Sequence, residues 1–334
     1  MTTTQCLVHH PGGRTELQNC RLGPVGQSQC LVETTYSAVS PGTELRCLFD
    51  RTSGSSPFVP GYLGVGRIIE AGPLSRFSKG ERVFFGGAGG YEGLTSQWGC
   101  HSRRAIVDDP ALYRLPAEVS DLDAVFSKMA AIALHGVNLA GIENGDRVLV
   151  LGLGLLGQLA ARLASLNEAH VLAFGRNSNR VEKAVRSGIR AHEVDGRIDE
   201  MMKRLFGPGI RADVILDVTG NPQVITEALP LAHDLLPWER PATRATRYVV
   251  QGSFHGNATV AYEAAFTKEL HLFFARDHTR KDLEDVLTLM ASGKLSVQDL
   301  IPDPVSPAEA SLHYEALHAP TPRSLTAVFD WSKL

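Results

Sequence analysis

Gly152, Gly154 and Gly157 stand at the spacing G-x-G-x-x-G, directly after the apolar run Arg147-Val-Leu-Val-Leu151 and directly before an amphipathic stretch, Leu155 to Asn167. With 32 glycines in the chain the spacing alone says little; its place between a strand and a helix gives it meaning. Gly152 permits a tight turn, Gly154 lets a pyrophosphate approach the backbone, and Gly157 lets helix and strand pack closely. The helix start, at Leu155 and Leu156, offers free N–H donors and a positive dipole end to phosphate. The next strand ends in Phe174-Gly175-Arg176-Asn177-Ser178-Asn179-Arg180. An acid there would accept hydrogen bonds from the ribose hydroxyls of NAD. None is present, and Arg176 and Arg180 are placed to bracket a 2′-phosphate. Gly175, Arg176, Asn177 and Arg180, with Thr219, Gly252 and Ser253 farther along, are therefore assigned to a site for NADP(H). Were Arg180 only to face solvent on its helix, the missing acid would still argue against NAD.

The elements that must position these residues form two textures. Of the 32 glycines, 17 lie in the first 100 residues, among short β-type runs at Cys30–Tyr36, Gly66–Ala71 and Arg82–Phe85. Short strands between Gly/Pro turns predict a β-barrel or irregular β domain. From about Asp121 apolar strands alternate with amphipathic stretches, the rhythm of a parallel α/β sheet. Strands are expected at Arg147–Gly152, Ala169–Phe174, Ala212–Val218 and Arg247–Gly252, with Glu269–Phe274 at the sheet edge. Helices are expected at Leu155–Asn167 and Arg180–Ser187. The polar, proline-containing segment 240–246 predicts a surface loop. A helix at Lys281–Ser292 and a strand at Leu325–Phe329 are expected to return to the first domain.

Several motifs then resemble the medium-chain dehydrogenase/reductase superfamily, and the resemblance covers nearly the whole chain. They are Ser40-Pro-Gly-Thr-Glu44, Pro60-Gly-Tyr-Leu-Gly64-Val-Gly66, Gly80-Glu-Arg-Val83, Asn144-Gly-Asp-Arg-Val148, the glycine turn and Asp217-Val-Thr-Gly-Asn-Pro222. The resemblance implies an α/β protein, a Rossmann doubly wound parallel sheet (121–276) plus a GroES-like β-barrel substrate domain (1–120 with 277–334). It implies hydride transfer in the cleft between the domains, and a homodimer, for which the strand at 269–274 is the expected edge. Ser40–Glu44 and Trp98-Gly-Cys-His-Ser-Arg-Arg104 are similar to the bacteriochlorophyllide dehydrogenase-like subgroup, a short match from which no tetrapyrrole substrate is carried over.

The departures from the family pattern bear on mechanism. Zinc-containing relatives place ligands where this chain has Pro41 and Tyr62, and a third falls near Ser127. Zinc needs three donors of the Cys, His or carboxylate type, so a zinc-independent member is expected. The structural four-cysteine lobe is also missing, since 86–99 holds no cysteine. Without a metal, something else must stabilise developing alkoxide charge and deliver a proton. Thr43 matches the family's proton-relay hydroxyl, and Tyr62 stands where a ligating His would project. Tyr62 either donates to the substrate oxygen or fills the vacated pocket. Glu44 is expected to orient neighbours or pair with an arginine. His101, Ser127, Lys128 and His135 are further candidates, although His135 reads as a satisfied structural residue and Lys128 as a solvated helix-end lysine. His9 and His10, adjacent on a strand, face opposite ways and cannot chelate together.

Composition narrows the rest. The chain has 334 residues with 43% hydrophobic and 21% charged, which supports a sizeable core. A net charge of −3 lacks the basic surface of a nucleic-acid binder, and no apolar run is long enough for a membrane span. The N-terminal segment has no basic-then-apolar leader pattern, and Cys6, Cys20, Cys30, Cys47 and Cys100 show no CxxC. A cytoplasmic protein with ordinary thiols and a small-molecule substrate is expected. Three activities fit: NADP(H)-dependent interconversion of a carbonyl and a secondary alcohol, reduction of an activated C=C bond, or nucleotide binding without catalysis.

Overall fold

The run Val148–Leu151 is fully apolar because it lies inside a sheet, covered on both faces. In the computed structural model, which describes residues 2–10, 12–49, 56–206, 209, 211–234 and 244–334, the strand Arg147–Leu151 sits within a six-stranded parallel sheet. The spatial order is Arg190–Glu193, His170–Gly175, Arg147–Leu151, Val214–Asp217, Arg247–Val250, His271–Phe274. The chain moves outward one way from Arg147–Leu151, then returns and moves outward the other way. That reversal is the switch point of a doubly wound Rossmann sheet, where ligands bind at the carboxyl ends of the strands. The outer strand of this sheet and several of its helices were not legible. In Arg190–Glu193 only Ala191 is buried, so this outer strand carries no apolar run. The helix Ile198–Phe206 follows it. The edge strand begins at His271, after Glu269 takes a positive φ of 46°. Residues 240–243 of the expected loop lie outside the described residues.

The chain divides into two compact units, Met1–Met129 with Glu284–Leu334, and Ala130–Leu283. The first unit holds two sheets. One pairs Arg14–Leu22, Thr2–His10, Phe58–Val59 and Thr95–Ser96; the other is built around Gln29–Ala38 and Gly64–Ala71. That central pair shifts register twice, and Gly66 lies against it so closely that a Cβ would meet Glu33 O at 2.2 Å. The chain's end rejoins this unit: Val328–Asp330 pairs antiparallel with Gln29–Ala38. The helix Ala310–His318 packs Tyr314 and Leu317 into a cluster with Leu7, Leu48 and Trp331. Together the Rossmann sheet and this GroES-like unit give the expected fold class. Among the described residues no helix is long and apolar enough to cross a membrane.

Candidate functional site

At the carboxyl end of Arg147–Leu151 the backbone turns on Gly152, at φ 101°. Its N–H donates to Phe174 O at 2.8 Å. A Cβ on Gly157 would lie 1.9 Å from Gly152 O, so only glycine lets the helix Leu155–Ser165 start this close to the strand. Gly154 caps that helix with extended backbone, and the space beside it is open. The nearest atom to a Cβ there is Arg180 Nη1, at 4.0 Å. Arg180 is half-buried beside this turn. Its Nε has no hydrogen-bond partner, and burial pulls its pKa below the ordinary guanidinium value. A cation so placed suits an anionic ligand.

The other assigned residues divide by what already holds them. Gly175 ends its strand against Leu153, and Arg176 beyond it is exposed. Asn177 caps the helix Ser178–Arg186 by accepting from Arg180 N at 3.2 Å. Thr219 donates from both its N–H and its hydroxyl to Asp217 Oδ1, at 3.0 and 2.6 Å. The Tyr248 hydroxyl donates to Asp217 Oδ2 at 3.1 Å. Burial pushes the Asp217 carboxyl up despite these donors, and pushes the Tyr248 hydroxyl up as well. A Cβ on Gly252 would meet Gly220 N at 2.2 Å, so the loops after two neighbouring strands pass in contact, with exposed Ser253 next.

A second cluster lies in the first unit, at the start of the helix Pro41–Phe49. Ser40 Oγ is hydrogen-bonded to Tyr62 OH, and Tyr62 OH points to Met129 Sδ at 3.8 Å. Lys128 Nζ stands 4.9 Å from the Tyr62 ring centroid, and Trp98 meets the same ring edge-on at 5.3 Å. Lys128 is 8% exposed, which corrects the reading of a solvated helix-end lysine. Thr43 is half-buried, its N–H donating to Ser40 O. Glu44 is fully buried and pairs with a histidine. Its Oε1 accepts from Ser40 N at 2.7 Å; its Oε2 meets His101 Nε2 at 2.9 Å and accepts from Tyr314 OH at 2.6 Å. Burial, then the neighbouring Glu44, holds the Tyr314 hydroxyl well above its ordinary value. Trp331 Nε1 donates to Ser37 Oγ at 2.9 Å, and Ser37 lies 2.7 Å from His101 Nδ1. Glu44 thus ties a helix start, His101 and the C-terminal helix together. It is an anchor.

The residues at the expected zinc-ligand positions are otherwise engaged. Pro41 offers no donor, Tyr62 is engaged with Ser40, and the Ser127 hydroxyl donates to Ala124 O at 2.7 Å. Among the described residues no three His, Cys, Asp or Glu side chains converge. His135 meets Asp282 Oδ2 at 3.0 Å, the satisfied structural role expected of it. His9 and His10 diverge, the first into the core against Thr15 and the second to Gln18. Sequence reasoning missed Ser40 as the partner of Tyr62. Its hydroxyl-bearing place just before Pro41-Gly-Thr was the available signal.

No protein-family model matches the chain. It is 28% identical over 312 residues to 2-desacetyl-2-hydroxyethyl bacteriochlorophyllide A dehydrogenase of Rhodobacter capsulatus, covering 92% of this chain and 91% of that one. It is 26% identical over 337 residues to sorbitol dehydrogenase of Halalkalibacterium halodurans, covering 93% and 94%. Two solved structures share the fold at 19% identity, each covering 99% of this chain and 100% of the other. One is a short chain alcohol dehydrogenase from Escherichia coli complexed with NADH, at TM-score 0.85. The other is a putative zinc-binding dehydrogenase from Sinorhizobium meliloti bound to NADP, at TM-score 0.82. These similarities support the medium-chain dehydrogenase/reductase superfamily of zinc-binding-type alcohol dehydrogenases. Within it they support an oxidoreductase acting between carbonyl and alcohol.

Proposed function

We propose that this protein is a cytoplasmic, zinc-independent, NADP(H)-dependent oxidoreductase that interconverts a carbonyl and a secondary alcohol on a small or medium-sized organic molecule. The observation that carries the cofactor choice is Arg180, a half-buried guanidinium with a hydrogen-bond-free Nε, beside an open glycine turn and a strand end without an acid. Gly152, Gly154 and the N–H groups of Leu155 and Leu156 would hold the pyrophosphate, and Arg176 with Arg180 the 2′-phosphate. The nicotinamide, when bound, supplies or accepts the hydride. Zinc independence is supported by the lack of three converging metal donors among the described residues. Tyr62 then hands its phenolic proton to the substrate oxygen and recovers one through Ser40, while Lys128 places positive charge on the ring face. Thr43, at the same helix start, supplies a further hydroxyl.

Titration with NADPH and with NADH, followed by nucleotide fluorescence, tests the cofactor assignment. NADPH is expected to bind more tightly, and Arg180→Ala and Arg176→Ala each to weaken it by about tenfold or more, in line with the worth of a charge-assisted hydrogen bond. A preference for NADH would overturn the reading of Gly175 to Arg180. Binding of neither would make the glycine turn structural. Deuteride from labelled nucleotide is expected on the carbinol carbon. Its arrival on the carbon β to a carbonyl would mean C=C reduction.

A further inference from the structure

The hairpin Thr2–His10/Arg14–Leu22 carries two cysteines that the proposed chemistry does not use. Its register sets Cys6 opposite Gln18 and Thr4 opposite Cys20, so the cysteines are diagonal neighbours on one face. Their sulfurs are 3.0 Å apart, roughly 1 Å beyond a disulfide bond. Both lie in an apolar cluster with Val8, Leu22, Tyr91 and Ile106. They differ in access. Cys6 is fully buried, whereas Cys20 is 8% exposed and lines a surface depression of about 580 Å³. They also differ in charge preference. Hydrogen bonding from Cys6 lowers the Cys20 thiol, and the same contact, with burial, raises that of Cys6. The more accessible Cys20 is thus placed to meet an oxidant first, with Cys6 behind it as the resolving partner.

We propose that Cys6 and Cys20 form a peroxide-oxidisable dithiol that closes into a reversible disulfide across this hairpin. The Cys20 thiolate attacks one oxygen of hydrogen peroxide, the O–O bond breaks, and hydroxide leaves, giving Cys20 sulfenic acid. Cys6 then attacks the Cys20 sulfur, losing its proton, and the sulfenic oxygen departs as water. Overall two thiols and one peroxide give one disulfide and two waters. The size of the oxidant matters, because Cys20 is only 8% exposed where it lines the depression. The product also sits close to the anchor described above, since Leu7 N donates to His101 O at 2.8 Å and Arg103 N to Gln5 O at 2.8 Å.

The test uses the full-length reduced protein, exposed to hydrogen peroxide, denatured, alkylated with N-ethylmaleimide, digested and mapped by mass spectrometry. A peptide pair joined through Cys6 and Cys20, lighter by two hydrogens and released by dithiothreitol, is the expected product. Cys30, Cys47 and Cys100 should remain alkylated. In Cys6→Ala, dimedone should label Cys20, since the sulfenic acid has lost its partner. The proposal is overturned if both cysteines stay alkylatable, if Cys20 advances to sulfinic acid without a cross-link, or if the cross-link involves another cysteine.

Discussion

Single residues separate into those that hold the fold and those left to meet a ligand, and hydrogen bonding draws the line. Glu44 has its oxygens taken by Ser40, His101 and Tyr314, whereas the Tyr62 hydroxyl meets Ser40 Oγ and Met129 Sδ and its ring carries the Lys128 charge. Tyr62→Phe removes the proton and keeps the ring. It should lower carbonyl turnover by about a hundredfold, the usual worth of a positioned acid, while leaving NADPH affinity unchanged. Unaltered turnover across a ketone panel would remove Tyr62 from the mechanism. His9 is a residue of the other kind. Its Nδ1 meets Thr15 Oγ1 at 2.9 Å, its Nε2 has no partner, and Phe58 and Tyr314 pack against the ring. Burial, then the nearby His101 and His10, lowers its pKa from 6.5 to about 3. Between those values the unfolded chain binds a proton that the folded chain refuses. The contribution is therefore fully present above pH 6.5 and is lost as pH falls toward 3. At its steepest the loss approaches about 1.4 kcal/mol per pH unit. His9→Leu should flatten the fall in Tm between pH 6.5 and 4 (roughly the range over which the unfolded imidazole charges), and an unchanged slope would show that other groups govern acid lability.

At the scale of elements, the strand–turn–helix from Arg147 to Ser165 was legible because every instruction in it is local. The apolar run, the three glycines and the amphipathic stretch lie within a few residues of one another. The glycines nevertheless do different work, and two substitutions separate it. Gly157→Ala would press a Cβ to 1.9 Å from Gly152 O, a clash with backbone that cannot rotate away. It should cost about 3 kcal/mol of stability, read from urea unfolding. Gly154→Ala meets only Arg180 Nη1 at 4.0 Å. It should keep stability within about 1 kcal/mol of the parent while weakening NADPH more than tenfold, because the methyl occupies the pyrophosphate's approach. Equal stability loss in both variants would contradict this division. Elements that depend on distant partners were not legible in the same way. Arg190–Glu193 is a strand because Phe174 and its neighbours offer it an edge, not because of its own side chains. The pairing of Glu44 with His101 spans 57 residues, and that with Tyr314 spans 270. No local spacing encodes either.

For the whole molecule the question left by the fold is assembly, and the parallel sheet poses it at one edge. The strand His271–Phe274 pairs on one side with Arg247–Val250 and closes the sheet on the other. Phe274 is 61% exposed, and the helix Tyr262–Phe266 that precedes this strand stacks its exposed Tyr262 and Phe266 rings. An edge strand with exposed apolar neighbours invites another strand, and natural proteins ordinarily blunt such edges with charge, proline or a bulge. His271-Leu-Phe-Phe274 has no Lys, Glu, Asp or Pro. Two copies related by a two-fold axis can pair this strand antiparallel with itself, an isologous contact that closes and stops at a dimer. Light scattering during size exclusion at micromolar protein should therefore give twice the 36.1 kDa chain mass. Phe274→Asp puts a charge where the two edges would meet and should return the chain mass without loss of secondary structure. A parent protein that runs at the single-chain mass would refute the self-pairing. A dimer unaffected by Phe274→Asp would move the interface to another surface.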